Sequence, residues 1–333
     1  MNKEVIVTGG AGFIGANIVK LLLDKGLIVH VFDNLSTGNI NNLPLDKVKF
    51  YNFDLKKSFN NWPNIKASHI YHLAANADVR GGIDNHDIDL NENLFVTKNV
   101  CDYSVKNNIR NFIFSSSATV YGEPDLFPTP ETYISQQTSL YGASKISCEA
   151  FIQAYSNYGY FKSTIFRFVS WIGNGYSHGV IYDFVQKLLM NPKELKILGD
   201  GNQEKSYLDV RDGVDGVINI SNLHIENSSV FNLGHLETIN VKDLADIVCD
   251  EMNLTNVEYQ FSGGKRGWLG DSPLVHLNTK KAYKYGWEPK ISLDDLIKEM
   301  ICEDLKKVKE ELVLKEKGFD IFSSTESPPS YSN

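Results

Sequence analysis

The residues with the most evident chemical potential are Tyr141 and Lys145, in the run Tyr141-Gly142-Ala143-Ser144-Lys145. On a helix these two are i,i+4 neighbours and project from one face. An ammonium beside a phenol favours the phenolate, which lets a tyrosine act as a base near neutral pH. The same spacing also describes an ordinary solvated helix pair, so the preceding chain has to decide between them. Upstream, Asn111-Phe112-Ile113-Phe114 reads as a buried strand that ends in Ser115-Ser116-Ser117. Polar residues at the carboxyl end of such a strand sit where open α/β sheets bind ligands. A hydroxyl-rich turn explains the triple equally well.

The elements that must position these groups begin at the amino terminus. Val5-Ile6-Val7 is a short β-branched run, read as a buried strand. It leads into Thr8-Gly9-Gly10-Ala11-Gly12-Phe13-Ile14-Gly15, a helix-like stretch from Ala16 to Asp24 with Gly26 as C-cap, and a second strand from Ile28 to Phe32 ending at Asp33. Gly9, Gly12 and Gly15 let the chain turn tightly and let backbone amides approach a pyrophosphate at a helix N-terminus. Asp33 falls about 20 residues past the glycines, where a carboxylate can bond an adenosine ribose and repel a 2′-phosphate. Strand, glycines, helix, strand and terminal acid in this order indicate dinucleotide binding, and the acid favours NAD over NADP.

Alternation continues, which argues for a doubly wound parallel sheet of the Rossmann type in an α/β fold. Val48 to Tyr51 reads as a strand followed by Asp54-Leu55; Asp54 suits either an adenine contact or a loop acid. Ile70 to Ala75 is a strand running into small residues, Asn93 to Val105 a helix, Leu140 to Tyr155 the helix of the opening pair, and Thr164 to Val169 a strand. Regular alternation then breaks down. Gly173-Asn174-Gly175 opens a loop, Val180 to Leu189 and Val241 to Glu251 read as helices, and Phe231 to Leu233 as a returning strand. Residues 255–290 are mixed, Leu293 to Leu314 has helical spacing, and residues 320–333 form a Ser- and Pro-rich tail. The expected organisation is an NAD-binding domain over residues 1–169 with a returning strand and helix near 212–252. A smaller discontinuous substrate domain over 170–211 and 253–319 would cover the carboxyl edge of the sheet and leave a cleft.

Composition narrows the partners. The chain has 333 residues and a net charge of -8, with no basic surplus to neutralise nucleic-acid phosphates. No apolar run approaches the roughly 20 residues of a membrane span. The start, Met1-Asn2-Lys3, lacks a signal-peptide layout. Cys101, Cys148, Cys249 and Cys302 are far apart and form no CxxC pair, so neither a zinc site nor a disulfide framework is expected, and a cytoplasmic setting is.

From about Glu4 to Glu310 the chain resembles the extended short-chain dehydrogenase/reductase family, in its nucleotide-sugar epimerase branch. The matching stretches are TGGAGFIG at 8–15, DNLSTG at 33–38, HLAA at 72–75, FSSSATVYG at 114–122, YGASK at 141–145, ILGDGNQEKSYLDVRD at 197–212, RGWLGDSP at 266–273 and YGWEP at 285–289. The resemblance implies Tyr141 as catalytic base, Lys145 as the group that lowers its pKa and holds the nicotinamide ribose, and Ser117 as the hydrogen-bond partner of the reacting sugar hydroxyl. It implies cofactor contacts at Gly9, Gly12, Phe13, Ile14, Asp33, Asn34, Asp54, Leu55, Leu73, Ala74, Ala75 and Asn93. It also implies homodimers that pair helices 93–105 and 140–155, on faces where Val96, Val100, Ala150 and Phe151 could lie; core packing suits these residues equally.

Departures within the family sharpen the expected chemistry. Sugar 4,6-dehydratases resemble one another in carrying an Asp-Glu pair after the residue matching Ser117; here Ala118-Thr119 follows, so dehydration is disfavoured. The serine turn also lacks the cysteine of fucose-synthase-like enzymes. Oxidation and re-reduction at one carbon remain, which implies a 4-epimerase of a nucleotide-diphosphate sugar. Ser170 stands where many such epimerases carry an asparagine, Trp268 where an arginine is common, and Lys205 in place of another arginine. Lys205 and Arg266 are then the candidate diphosphate contacts, or else solvated surface cations. Arg80, Thr119, His178, Asp271 and Val275 complete the candidate substrate set. Val275 falls where some epimerases have a larger tyrosine, and Arg80 would suit a sugar carboxylate, a helix cap or a dimer contact. Two other readings stay open: a decarboxylase or net oxidoreductase on a similar substrate, and a catalytically silent NAD-binding scaffold.

Overall fold

A computed structural model describes residues 3–316 apart from 135, 177, 224, 225 and 269. The expected 320–333 tail lies outside the described residues. In chain order the first half runs β1 (Glu4–Thr8), α1 (Phe13–Asp24), β2 (Ile28–Asp33), β3 (Lys49–Asn52), β4 (His69–His72), α2 (Gly81–Asp84), α3 (Val96–Lys106), β5 (Asn111–Ser117), α4 (Leu140–Asn157), β6 (Lys162–Phe168) and β7 (Ser170–Ile172). The second half runs α5 (Val180–Met190), β8 (Glu194–Ile197), β9 (Glu204–Lys205), β10 (Tyr207–Asp209), α6 (Val210–Leu223), β11 (Ser228–Leu233), β12 (Ile239–Asn240), α7 (Val241–Glu251), β13 (Glu258–Phe261), β14 (Leu274–Val275), α8 (Lys280–Lys284) and α9 (Leu293–Glu316).

Seven strands form one sheet in the order β11-β6-β5-β4-β1-β2-β3, and every neighbouring pair is parallel. The expected doubly wound α/β fold is present. Its central strands β1 and β2 are mostly apolar and buried because both faces are covered. Val5, Val7, Val29 and Val31 pack with α1 and α6, while Ile6, Phe32, Ile70 and Phe114 pack with α3 and α4. The order reverses between β1 and β4, and the carboxyl ends of the strands there carry Thr8 and His72. A ligand crevice belongs at such a switch point.

A second apolar cluster is built by α5, β8, α7 and α9, with Phe184, Leu195, Val248 and Ile301 at its centre. Three small sheets hold the remaining strands, pairing β10 with β7, β13 with β8, and β9 with both β12 and β14. Among the described residues no helix is long and apolar enough to cross a membrane.

Several element boundaries differ from expectation, each for a local reason. The first helix begins at Phe13, not Ala16, because Gly12 is its N-cap. The helix expected from Asn93 opens instead with a π-helical turn, Leu90–Phe95, before α3. Helix α6 was not foreseen as such. Val96 and Val100 are buried in the core, so only Phe151 and Ala150 of the four residues considered for a helix-pairing face are exposed.

Candidate active site

The glycine loop is shaped by contacts that exclude side chains. Gly9 has φ +67°, and a Cβ there would lie 2.7 Å from the Ala74 amide nitrogen. A Cβ at Gly15 would lie 2.1 Å from the Gly9 carbonyl oxygen. Gly12 caps α1 with no side-chain hydrogen bond and no acid in the first turn, which leaves the helix N-terminus with amide donors for an anion. Asp33, at the end of β2, is buried and accepts from the Ala11 amide at 2.9 Å and the Leu35 amide at 2.8 Å. Its two oxygens retain lone pairs for a ribose hydroxyl. These features fit a dinucleotide: an uncapped helix end for the pyrophosphate and a fixed carboxylate on the neighbouring strand. We expect Gly15→Ala to weaken NAD binding about tenfold or more by calorimetry, since overpacking of this kind costs about 1–3 kcal/mol.

Thr8 ties this loop to the next strand end. Its hydroxyl bonds His72 Nδ1 at 2.7 Å and accepts the amides of Leu73 and Ala74, both at 3.2 Å. His72 Nε2 bonds Thr97 Oγ1 at 3.0 Å. Burial, helped by the Lys145 charge, pushes His72 down to about 3, so the imidazole stays neutral and serves as a strut. The expected cofactor residues Leu73 and Ala74 lie directly against Gly9, and Ala75 follows them. Asn34 is exposed and bonds the Ser36 amide, whereas Asp54 bonds the Lys56 amide and faces its ammonium at 3.6 Å. Leu55 is buried in the core, with its carbonyl accepting from Asn99, so its side chain is structural.

Strand β5 and helix α4 bring Ser117, Tyr141 and Lys145 together. Ser139 caps α4 by accepting from the Gly142 amide at 3.0 Å. Ser117, at the end of β5, accepts from the Thr119 amide at 3.2 Å and the Thr119 hydroxyl at 3.0 Å. That leaves the Ser117 proton free to turn towards the Tyr141 phenol, whose proton affinity Ser117 lowers. Lys145 Nζ donates to the Ser115 carbonyl at 3.0 Å and lies 5.8 Å from the centre of the Tyr141 ring.

Electrostatics differ here from the simple lysine–phenol expectation. Burial pushes the Tyr141 phenol well above its usual range, opposed by the Ser117 hydrogen bond and reinforced by Asp89 and Cys148. Burial also lowers the Lys145 ammonium to about 8, against the raising influence of Cys148, Asp89 and Glu149. Desolvation outweighs the pairing in the protein alone. Asn93, the remaining cofactor candidate, is buried and donates to Ser144 Oγ at 2.8 Å; Ser144 in turn donates to the Tyr141 carbonyl. Asn76, Asp89 and Ser144 are not among the residues expected at the site, although Asn76 and Asp89 are polar residues set between apolar ones and Ser144 directly precedes Lys145.

The substrate candidates fall into separate groups. Lys205 bonds Asp271 Oδ1 at 2.7 Å and also the Ser272 carbonyl, and Val275 pairs with Lys205 across β14 and β9. This group adjoins the segment leading into α4: a Cβ at Gly270 would lie 3.5 Å from both the Thr138 carbonyl oxygen and the Trp268 ring. Arg266 is exposed and paired with Glu123. Both cations considered for a diphosphate are thus held by carboxylates. Ser170 is exposed at the start of β7. His178 packs against Tyr176 with ring centres 4.3 Å apart and planes tilted by 39°, Tyr176 meets Phe13 at 5.3 Å, and desolvation lowers the His178 pKa, with Lys307, Asp78 and Arg80 also acting on it. Arg80 itself is exposed, 3.6 Å from Asp78.

Comparison with known proteins agrees with this architecture. The profile described as "NAD dependent epimerase/dehydratase family" matches residues 5–234. A putative UDP-glucose 4-epimerase of Methanocaldococcus jannaschii is 33% identical over 304 residues, covering 89% of this chain and 97% of the relative. Among solved structures, a UDP-galactose 4-epimerase superposes with a TM-score of 0.81 at 33% identity, over 91% of this chain and 99% of that one. A Thermotoga maritima UDP-glucose 4-epimerase with UDP-glucose superposes with a TM-score of 0.82 at 30% identity, over 92% and 99% of the two chains. The expected cofactor, NAD, is the one that gives the matching family its description.

Proposed function

The chain belongs to the NAD dependent epimerase/dehydratase family, and on that premise we propose that it inverts C4 of the sugar in a nucleotide-diphosphate hexose through a transient 4-keto sugar. The observation that carries the reading is the Ser117–Tyr141–Lys145 set at the end of β5, beside the glycine loop and without carboxylates at Ala118-Thr119. NAD supplies the hydride acceptor and, in turn, the donor. Tyr141 takes the proton of the C4 hydroxyl and returns it when the hydroxyl re-forms on the opposite face. Ser117, its oxygen already fixed by Thr119, holds the C4 oxygen in both states. Lys145 supplies the positive charge that a buried phenolate requires.

Residues 1–169, with the return near 212–252, hold the cofactor in this reading. Residues 170–211 and 253–319 hold the nucleotide sugar, and the protein works in the cytoplasm. Lys205 and Arg266 would exchange Asp271 and Glu123 for the diphosphate, while Arg80, Ser170, His178 and Val275 line the approach. Two copies would pair through the exposed faces of α3 and α4, where Phe151 is 42% exposed; light scattering should then give twice the chain mass.

The test is direct. Protein supplied with NAD is incubated separately with UDP-galactose, UDP-N-acetylgalactosamine and UDP-glucuronate. Proton NMR should show C4 inversion of at least one, with neither carbon dioxide nor net NADH formed. Absence of inversion in all three would overturn the proposal.

A further inference from the structure

Beneath the first turn of the catalytic helix lies a carboxylate that the chemistry above does not use. Asp89 is 1% exposed. Its Oδ1 accepts from Asn76 Nδ2 at 2.9 Å and from Asn93 Nδ2 at 3.2 Å. Its Oδ2 is buried and has no hydrogen-bond partner. That oxygen faces Gly82, where a Cβ would approach it to 2.6 Å and the Leu140 Cβ to 3.1 Å. An ionised oxygen buried without a partner is costly and needs a compensating role or charge. The surrounding bonds show where its influence runs. Asn93 Nδ2 also reaches Ser144 Oγ, Ser144 reaches the Tyr141 carbonyl, and the Asn76 amide closes the ring on Asn93 Oδ1 at 2.8 Å.

We propose that Asp89 is a positioning residue for Tyr141 and Lys145: through Asn93 and Ser144 it fixes the first turn of the catalytic helix, and its charge sets the pH window in which the pair works. The inference rests on the acid–base roles assigned above to those two residues. The charges around them support it. Asp89 raises the proton affinity of both the Tyr141 phenol and the Lys145 ammonium. Asp89 is itself raised by burial and Asp78, and held down by Asn76, Lys145 and Asn93. The other groups facing the pair are Ser117 at the end of β5 and, on α4, Cys148 and Glu149, the latter tied to Arg167 of β6. His72 on β4 is neutral.

The decisive variant is Asp89→Asn, which keeps an oxygen acceptor for Asn76 and Asn93, removes the charge and puts an amide nitrogen in place of the unpartnered oxygen. Both limbs of the kcat/KM pH profile should move to lower pH by roughly half a unit or more, because both groups lose the same raising influence. A loss of packing alone would lower the profile without translating it. Coincident limbs in the variant and the parent protein would overturn the assignment of charge. Ser144→Ala separates the geometric half and stands in if Asp89→Asn fails to fold. It should lower kcat several-fold with KM and the pH limbs unchanged, and an unchanged kcat would overturn the positioning role. If the parent protein turns over none of the sugar nucleotides, the functional reading fails and the inference is still decided by nitrogen-15 NMR of lysine. The Lys145 resonance, identified by its loss in Lys145→Met, should titrate lower in Asp89→Asn than in the parent, and equal midpoints would overturn it.

Discussion

Tyr141→Phe should lower kcat by about 10²- to 10⁴-fold, the range lost with a positioned general base, and should leave NAD binding and melting temperature near those of the parent protein. The phenol is buried, and Ser117 lowers its proton affinity. Removing the hydroxyl leaves the ring in place, and Ser117 keeps both Thr119 donors. Lys145 keeps the Ser115 carbonyl. The variant should therefore lose an interaction that matters in the transition state, so kcat and kcat/KM fall together. A tyrosine that merely fills space predicts a small effect on both. The pH dependence supplies a second check. Lys145 in the protein alone titrates at about 8, lowered by burial. Its ammonium is held below that pH and lost as pH rises through it, so a reaction that depends on the cation weakens on the alkaline side. Calorimetry with NAD, thermal melting and kcat between pH 6 and pH 10 measure all of this on one preparation.

The sequence reads well wherever the physics is local. A run such as Val5-Ile6-Val7 followed by glycines and an acid 18 residues past Gly15 dictates a strand, a tight turn and a helix with little help from the rest of the chain. The Ser117–Tyr141–Lys145 set is legible for the same reason: one strand end and the following helix place it. What stayed hidden depends on distant partners. Helix α6 contains Gly213 and Gly216, which read as breakers. The structure uses them as slots, since a Cβ at Gly213 would lie 2.6 Å from the Trp171 ring and one at Gly216 would lie 2.6 Å from Trp287 Nε1. Indoles 42 residues before and 71 after cannot be assigned to those gaps from spacing alone. The pairing of Lys205 with Asp271 and of Arg266 with Glu123 is likewise set by where the late loop meets β9 and the segment after β5. The same holds for Asp89, whose partner Asn76 follows another strand and whose partner Asn93 reaches Ser144 of α4.

Glu149→Ala is the substitution expected to cost most stability, about 3–5 kcal/mol by urea denaturation. Glu149 sits on the catalytic helix, one turn beyond Lys145, and is 1% exposed. Its Oε1 accepts from Arg167 Nε at 2.9 Å and from Ser116 Oγ at 2.5 Å, and its Oε2 from Arg167 Nη2 at 2.7 Å. Arg167 belongs to β6, donates to the Glu131 carbonyl at 3.0 Å and stacks 4.7 Å from the Tyr121 ring centre. Burial works against the guanidinium charge, but Glu149 and Tyr121 hold its pKa above the usual value. Removing the carboxylate strands that charge in the interior, and a large part of the cost comes from there and not from the bond itself. Glu149→Leu combined with Arg167→Met tests this account, because it removes both charges at similar volume and should recover most of the loss. Lys145 also loses a neighbour that raises its proton affinity, so the alkaline fall in activity should begin at lower pH in the double variant even after stability returns. A single variant costing under about 1 kcal/mol would mean that the helix is held to the sheet by its apolar face alone.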